Sequence, residues 1–151
     1  MATSLRGIYD LFMQLVTDYR LDTLFDINED DFDTYLEAWL IFAISDFSNC
    51  DQSLCYDEYS KDFDVTLTSQ NKVILAKLMM KYWLRKLVND ITQMNLHITD
   101  RDFKMASEAQ NLKQKRDYML AVEEECSQLL NNYEYGNVTW SDWANQDFSG
   151  V

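Results

Sequence analysis

The stretch TSQNKVILAKLMMKYWLRKLVND, residues 68–90, limits the possible folds more than any other part of the chain. At 100° per residue, Val73, Ala76, Met79, Met80, Trp83, Leu84 and Leu87 fill one broad side of a helix, and Ile91 and Met94 continue it. Ile74, Leu75, Leu78 and Tyr82 widen that side until only a strip through Lys77, Lys81 and Arg85 stays polar. A helix apolar over most of its circumference needs partners on at least two sides, so this element is expected to be central. Thr68 or Ser69 caps it, and it runs to about Asn95, ~26 residues or ~39 Å at 1.5 Å per residue.

The rest of the chain supplies candidate partners. Ser4 caps a first helix expected from about Leu5 to Arg20, with Ile8, Leu11, Phe12, Leu15 and Tyr19 at one-face spacing. Asn28 caps a second helix from about Glu29 to Phe47, and Glu29, Asp30, Asp31 and Asp33 suit the positive end of its dipole. Its apolar face is broad, from Phe32, Tyr35 and Leu36 through Trp39, Leu40, Phe42, Ala43 and Phe47. Ile41 and Ile44 fall on the far side, so its second half needs cover from more than one neighbour. Residues 48–68 read as a long acidic loop with a short strand at Asp64–Leu67, and loops of that length are usually functional or mobile. A last helix starts after Thr99 and ends near Tyr133, ahead of Gly136. Met105, Leu112, Met119, Cys126 and Tyr133 repeat along it every seven residues. Glu108 and Lys115 interrupt the companion seam early, where Val122 and Leu129 continue it, so the C-terminal half should pack better.

The absence of proline and the presence of only three glycines argue against a turn-rich β fold. The expected fold class is all-α: a bundle of about four main helices with a long central helix, an irregular acidic loop and a C-terminal arm. Residues 1–136 form one helical domain and residues 137–151 the arm. At 151 residues a single core buries roughly 68–70% of the unfolded surface without a metal or disulfide staple. The N-terminus lacks a basic region followed by an apolar run, and Cys50, Cys55 and Cys126 are an odd set. Reduced thiols in a cytoplasmically made protein are expected, with no membrane span.

The net charge of −13 opposes tight binding to nucleic acid. It is also lopsided: residues 22–64 carry thirteen acidic residues against Lys61 alone. The basic row Lys77, Lys81 and Arg85 has two readings. It is either the solvent edge of a buried helix, its methylene stems covering apolar neighbours, or the counterpart of the acidic 22–64 segment in the same subunit or the next. Exposed ion pairs contribute only about 0–1 kcal/mol each, so in the second reading they set register more than affinity.

Little of the sequence points to catalysis or to a cofactor, and none is expected. DINEDDFDTYLE, residues 26–37, fits a calcium-loop pattern at Asp26, Asn28, Asp30 and Glu37. Asp31 stands where that loop wants glycine, and helical periodicity begins inside it at Phe32, so an acidic helix N-terminus is favoured. Cys50 and Cys55 with His97 lack the tight spacing and the fourth ligand of a zinc site. Trp140, Trp143 and Phe148 stand out in the polar tail: tryptophans there are typical interface anchors, either folded back on the bundle or docked on another chain.

The pair formed by residues 68–90 and by TDRDFKMASEAQNLKQKRDYMLAVEEECSQLL, residues 99–130, resembles the long-helix pair of head-to-tail adaptor (connector) proteins of tailed bacteriophages. The resemblance is one of layout over roughly residues 5–133. It implies a structural virion protein of the neck, synthesised in the host cytoplasm and forming a homo-oligomeric ring, commonly twelve-fold, below the portal. One face would meet the portal and the other a head-closure or tail protein, with DNA passing through a channel that acidic surface keeps from sticking. In that layout the arm with Trp140, Trp143 and Phe148 grips the portal. Lys77, Lys81 and Arg85 would meet Asp30, Asp31 and Asp33 of a neighbouring subunit across a head-to-tail contact. The alternatives are a small helical regulatory module whose acidic segment binds a basic partner, and a metal-dependent protein using Asp26–Glu37 or the Cys50, Cys55 and His97 set.

Overall fold

The computed structural model describes residues 2–97 and 102–137. In chain order it contains α1 (Leu5–Leu15), α2 (Tyr19–Ile27), α3 (Glu29–Asp46), a hairpin of β1 (Tyr56–Asp57) and β2 (Asp62–Phe63), α4 (Ser69–His97) and α5 (Asp102–Asn137). The all-α bundle is as expected, and α4 is its centre, packing against α1, α3 and α5. Ile74, Leu75, Ala76, Leu78, Met79 and Met80 are all buried, a run that only neighbours on several sides can cover. Fully burying one such side chain contributes roughly 1.5–3 kcal/mol.

The first expected helix is two helices. The Val16 side chain is buried while its backbone turns extended, and the Asp18 carboxylate caps α2 by accepting from the Arg20 N–H at 2.9 Å. Capping and burial together outweigh continuation through Thr17. The caps at Ser4 and Asn28 form as read, with Asn28 Oδ1 accepting from the N–H groups of Asp30 and Asp31.

The acidic loop is tied down at both ends, and its strands lie earlier than expected. Tyr56 pairs with Phe63 and Asp57 with Asp62, whereas Asp64–Leu67 forms no strand. The turn is built on Asp57, whose carboxylate accepts from the N–H groups of Tyr59 at 2.6 Å and Ser60 at 3.0 Å, and Lys61 closes it at φ 57°. The N-terminus then adds a third edge: Leu5 N–H donates to the Lys61 carbonyl at 2.9 Å, and Phe63 N–H to the Thr3 carbonyl at 2.7 Å. Lys61 and the Tyr56 hydroxyl both donate to Glu37, which fastens the hairpin to α3.

A polar clasp around the buried Asn71 closes the other end. Asn71, 1% exposed in the first turns of α4, donates to Asp51 at 3.1 Å and to Gln52 at 2.8 Å. The Tyr133 hydroxyl of α5 donates to Asp51 Oδ1 and accepts from the Asp51 N–H at 3.1 Å, while its ring meets Phe47 edge-on at 4.9 Å. The C-terminal half of α5 packs as the heptad predicts: Val122, Cys126 and Tyr133 are buried and Met119 is half-buried. Cys126 donates to the Lys77 carbonyl at 3.5 Å, and burial pushes its thiol up to about 11, which makes it unreactive.

The hydrogen bond from Tyr133, then that from Asn71, holds the Asp51 carboxyl below its ordinary value of 3.8. The folded state therefore binds fewer protons there than the unfolded state. The stabilisation is present above that ordinary value and lost as pH falls through the lower folded one. Tyr133→Phe should cost about 1–2 kcal/mol at pH 7 by urea unfolding. The penalty should shrink as the titration is carried into acid.

Candidate protein-binding surface

Each cation of the basic row on α4 meets a carboxylate of its own chain. Lys77 pairs with Glu125 and Arg85 with Glu123 at 2.7 Å, both on α5, while Lys81 pairs with Asp46 at the end of α3. The row is thus the polar seam along which α3 and α5, both acidic there, flank the apolar hub. Of the acidic residues expected to face it, Asp33 instead bonds Arg6 at 3.3 Å. Asp31 accepts from its own cap residue Asn28 at 2.7 Å, and Asp30 is exposed in the first turn of α3. The six charged residues are not brought together within the chain. Any contact between Lys77, Lys81 or Arg85 and a neighbouring subunit would have to exchange the internal partner.

Burial raises Asp33 above its ordinary carboxyl value, outweighing the favourable Arg6 charge, and Glu29, Asp30 and Glu37 add to the rise. The α2–α3 corner is therefore a strongly negative field. Asp22, Asp26, Asp30 and Asp31 there have no cationic partner among the described residues.

The calcium-like pattern is not a loop. Asp26 belongs to α2, Asn28 caps α3, Asp30 and Glu37 lie within α3, and Glu37 is already held by Lys61 at 2.9 Å. Cys50 Sγ lies 3.9 Å from the Tyr133 hydroxyl and Cys55 is exposed. Among the described residues no group of three or more His, Cys, Asp or Glu is arranged to hold a metal ion. Among them, too, no helix is long and apolar enough to cross a membrane. Trp140, Trp143 and Phe148 lie outside the described residues.

The feature that the charge pattern did not reveal is aromatic. Tyr35, Trp39, Phe42 and Tyr82 form a continuous strip across α3 and α4. Successive ring centroids are 5.8 Å, 6.3 Å and 5.1 Å apart, and the last pair is stacked at 26°. Phe42 is 50% exposed and the adjacent Ile41 54%. The Trp39 Nε1–H is buried with no acceptor among the described residues. Lys81 and Arg85 lie over Tyr82, at 4.6 Å and 5.3 Å from the ring centroid. Burial, followed by the Asp46 carboxylate, pushes the Tyr82 phenol up to about 12, so it remains neutral. Trp, Tyr and Arg in one patch is the composition that dominates binding energy at protein interfaces. One signal was present in the sequence: the second half of α3 needs cover from more than one neighbour, and among the described residues Ile44 is half-buried while Ile41 stays exposed.

Lys81 and Asp46 are the most enclosed pair of the row, with side chains 14% and 28% exposed. Lys81→Met leaves Asp46 without its cation, held only by Tyr82, and should lower stability by about 1–3 kcal/mol in urea unfolding. Lys77→Met, whose partner Glu125 is half-exposed, should cost under about 1 kcal/mol.

Comparison with protein-family models, with curated proteins and with solved structures gives no match, so the functional reading rests on the surfaces of the molecule itself.

Proposed function

We propose that this chain is a structural assembly protein without catalytic activity, and that the α3–α4 aromatic strip is where it holds another subunit. The observation that carries the reading is the half-exposure of Phe42 and Ile41 beside Trp39 and Tyr82, on a helix whose opposite face fills the core. Leaving such a strip in water forfeits burial of about 25 cal/mol per Å² that a partner would recover. Taken with the resemblance of the sequence's layout to phage head-to-tail adaptors, the reading is a homo-oligomeric ring in the neck of a virion. The ring joins the portal to a tail or head-closure protein. Acidic corners suit a channel for DNA, because they repel phosphate.

A second reading has its own support. Asp22, Asp26, Asp30 and Asp31 have no internal cation among the described residues and would attract a basic partner to a small helical regulatory module. The two differ in which surface is needed. Phe42→Ser should leave stability within about 1 kcal/mol, because the ring is half-exposed. In mass photometry with purified portal protein it should weaken assembly at least about thirtyfold, equivalent to ~2 kcal/mol at a central anchor. A wild-type chain that stays monomeric with portal present, and is absent from virions, removes the adaptor reading.

A further inference from the structure

Tyr59, at the tip of the β1–β2 hairpin, is 98% exposed. A lone exposed ring needs no explanation in itself. What sets this one apart is a backbone fixed beneath it. The Asp57 carboxylate accepts from the Tyr59 and Ser60 N–H groups, and Lys61 and Tyr56 fasten the hairpin to Glu37 of α3. A backbone already ordered loses less entropy on docking. Lys61 is occupied by Glu37, whereas Asp57 and Glu58, both exposed, meet no cation among the described residues. The knob is therefore an aromatic ring on a negative tip.

A socket of opposite character lies at the other end of α1. Leu15 and Val16, with Met80 and Leu87 of α4 and Lys115 and Tyr118 of α5, line a pocket of about 290 Å³. That is just below the ~300–1,000 Å³ of sites for whole small molecules and suits a single inserted ring. Lys115 is the one charged residue of the lining; it is half-buried and has no carboxylate partner among the described residues. Lys113 and Arg116, on the same turns of α5, are likewise without one, against the single carboxylate of Asp117 between Lys113 and Leu120. The other acidic groups nearby are engaged: Asp18 by Arg20, Asp90 by Lys86, and Glu123 and Glu125, further along α5, by Arg85 and Lys77.

We propose that the Tyr59 tip of one copy inserts into this pocket of a second copy, with Glu58 facing Lys115. The contact rests on the reading of the chain as an assembly protein, but not on the α3–α4 strip. The hairpin hangs on Leu5, whose N–H donates to the Lys61 carbonyl, while Leu15, about 15 Å further along α1, walls the pocket. The exposure of the ring shows that it does not fill the pocket of its own chain. Joining two different faces is a head-to-tail contact, which repeats into a closed ring or an open filament.

The experiment places a benzophenone-bearing phenylalanine in place of Tyr59 in the full-length chain, mixes isotope-labelled and unlabelled copies, and maps photocross-links by mass spectrometry over a concentration series. Mixed-isotope pairs joining position 59 to the peptides of Met80 or Tyr118 are expected. Tyr59→Ala should weaken self-association in sedimentation velocity at least about tenfold. Lys115→Glu should weaken it about fivefold or more, and Glu58→Lys in the same chain should restore it. All three side chains lie at the surface or the pocket rim, so the fold tolerates these changes. Cross-links that land elsewhere on the second chain overturn the contact and leave the assembly reading standing. A chain that stays monomeric over the whole series, with no mixed-isotope pair, also overturns it. The assembly reading is then judged separately, by the portal mixture with Phe42→Ser.

Discussion

Three helices, α1, α3 and α5, take their places from the need to cover α4. Its buried residues follow one another so closely, Ile74 to Ala76 and Leu78 to Met80, that no single neighbour can shield them. Three helices close around it: α1 supplies Ile8 and Phe12, α3 supplies Leu36 and Leu40, and α5 supplies Val122 and Cys126. Phe12 meets Trp83 edge-on at 6.2 Å, joining α1 to the hub. The row of cations follows from the same constraint. Once three sides are apolar, the remaining strip is where charge can stay near water, and the carboxylates of α3 and α5 that flank it meet Lys77, Lys81 and Arg85. Those pairs align the neighbours, while burial of the hub supplies the stability.

Elements specified by many residues at once were legible in the sequence. The apolar circumference of α4 predicts a central helix because some dozen positions agree. The start of α3 is written in Asn28 and the acidic residues behind it, and the better packing of the later half of α5 in its heptad. Elements specified by one or two residues were not. The break between α1 and α2 depends on Val16 turning inward and Asp18 capping, against a periodicity that runs on through Tyr19. The hairpin at Tyr56–Phe63 depends on Thr3 and Ser4, some sixty residues away, and on Lys61 accepting a left-handed backbone. Local pattern carries no information on such pairings.

The surfaces divide in the same way. The acidic corner is visible in composition, but whether a charge finds a partner inside the fold is decided by packing. Asp46 and Glu37 are neutralised by lysines, whereas Asp30 and Asp31 meet no cation among the described residues. The aromatic strip was half-visible, since Ile41 called for a neighbour beyond the core, yet the stacking of Phe42 on Tyr82 joins two helices distant in the chain.

The central claim is that the strip of Trp39, Phe42 and Tyr82 is buried when the protein is at work. Hydroxyl-radical footprinting of the isolated chain, and of the chain mixed with the purified portal protein that the proposed adaptor reading calls for, measures that burial residue by residue. The account predicts that oxidation of Phe42 and Tyr82 falls several-fold on assembly. Equal oxidation of both rings in the free and assembled states would contradict it.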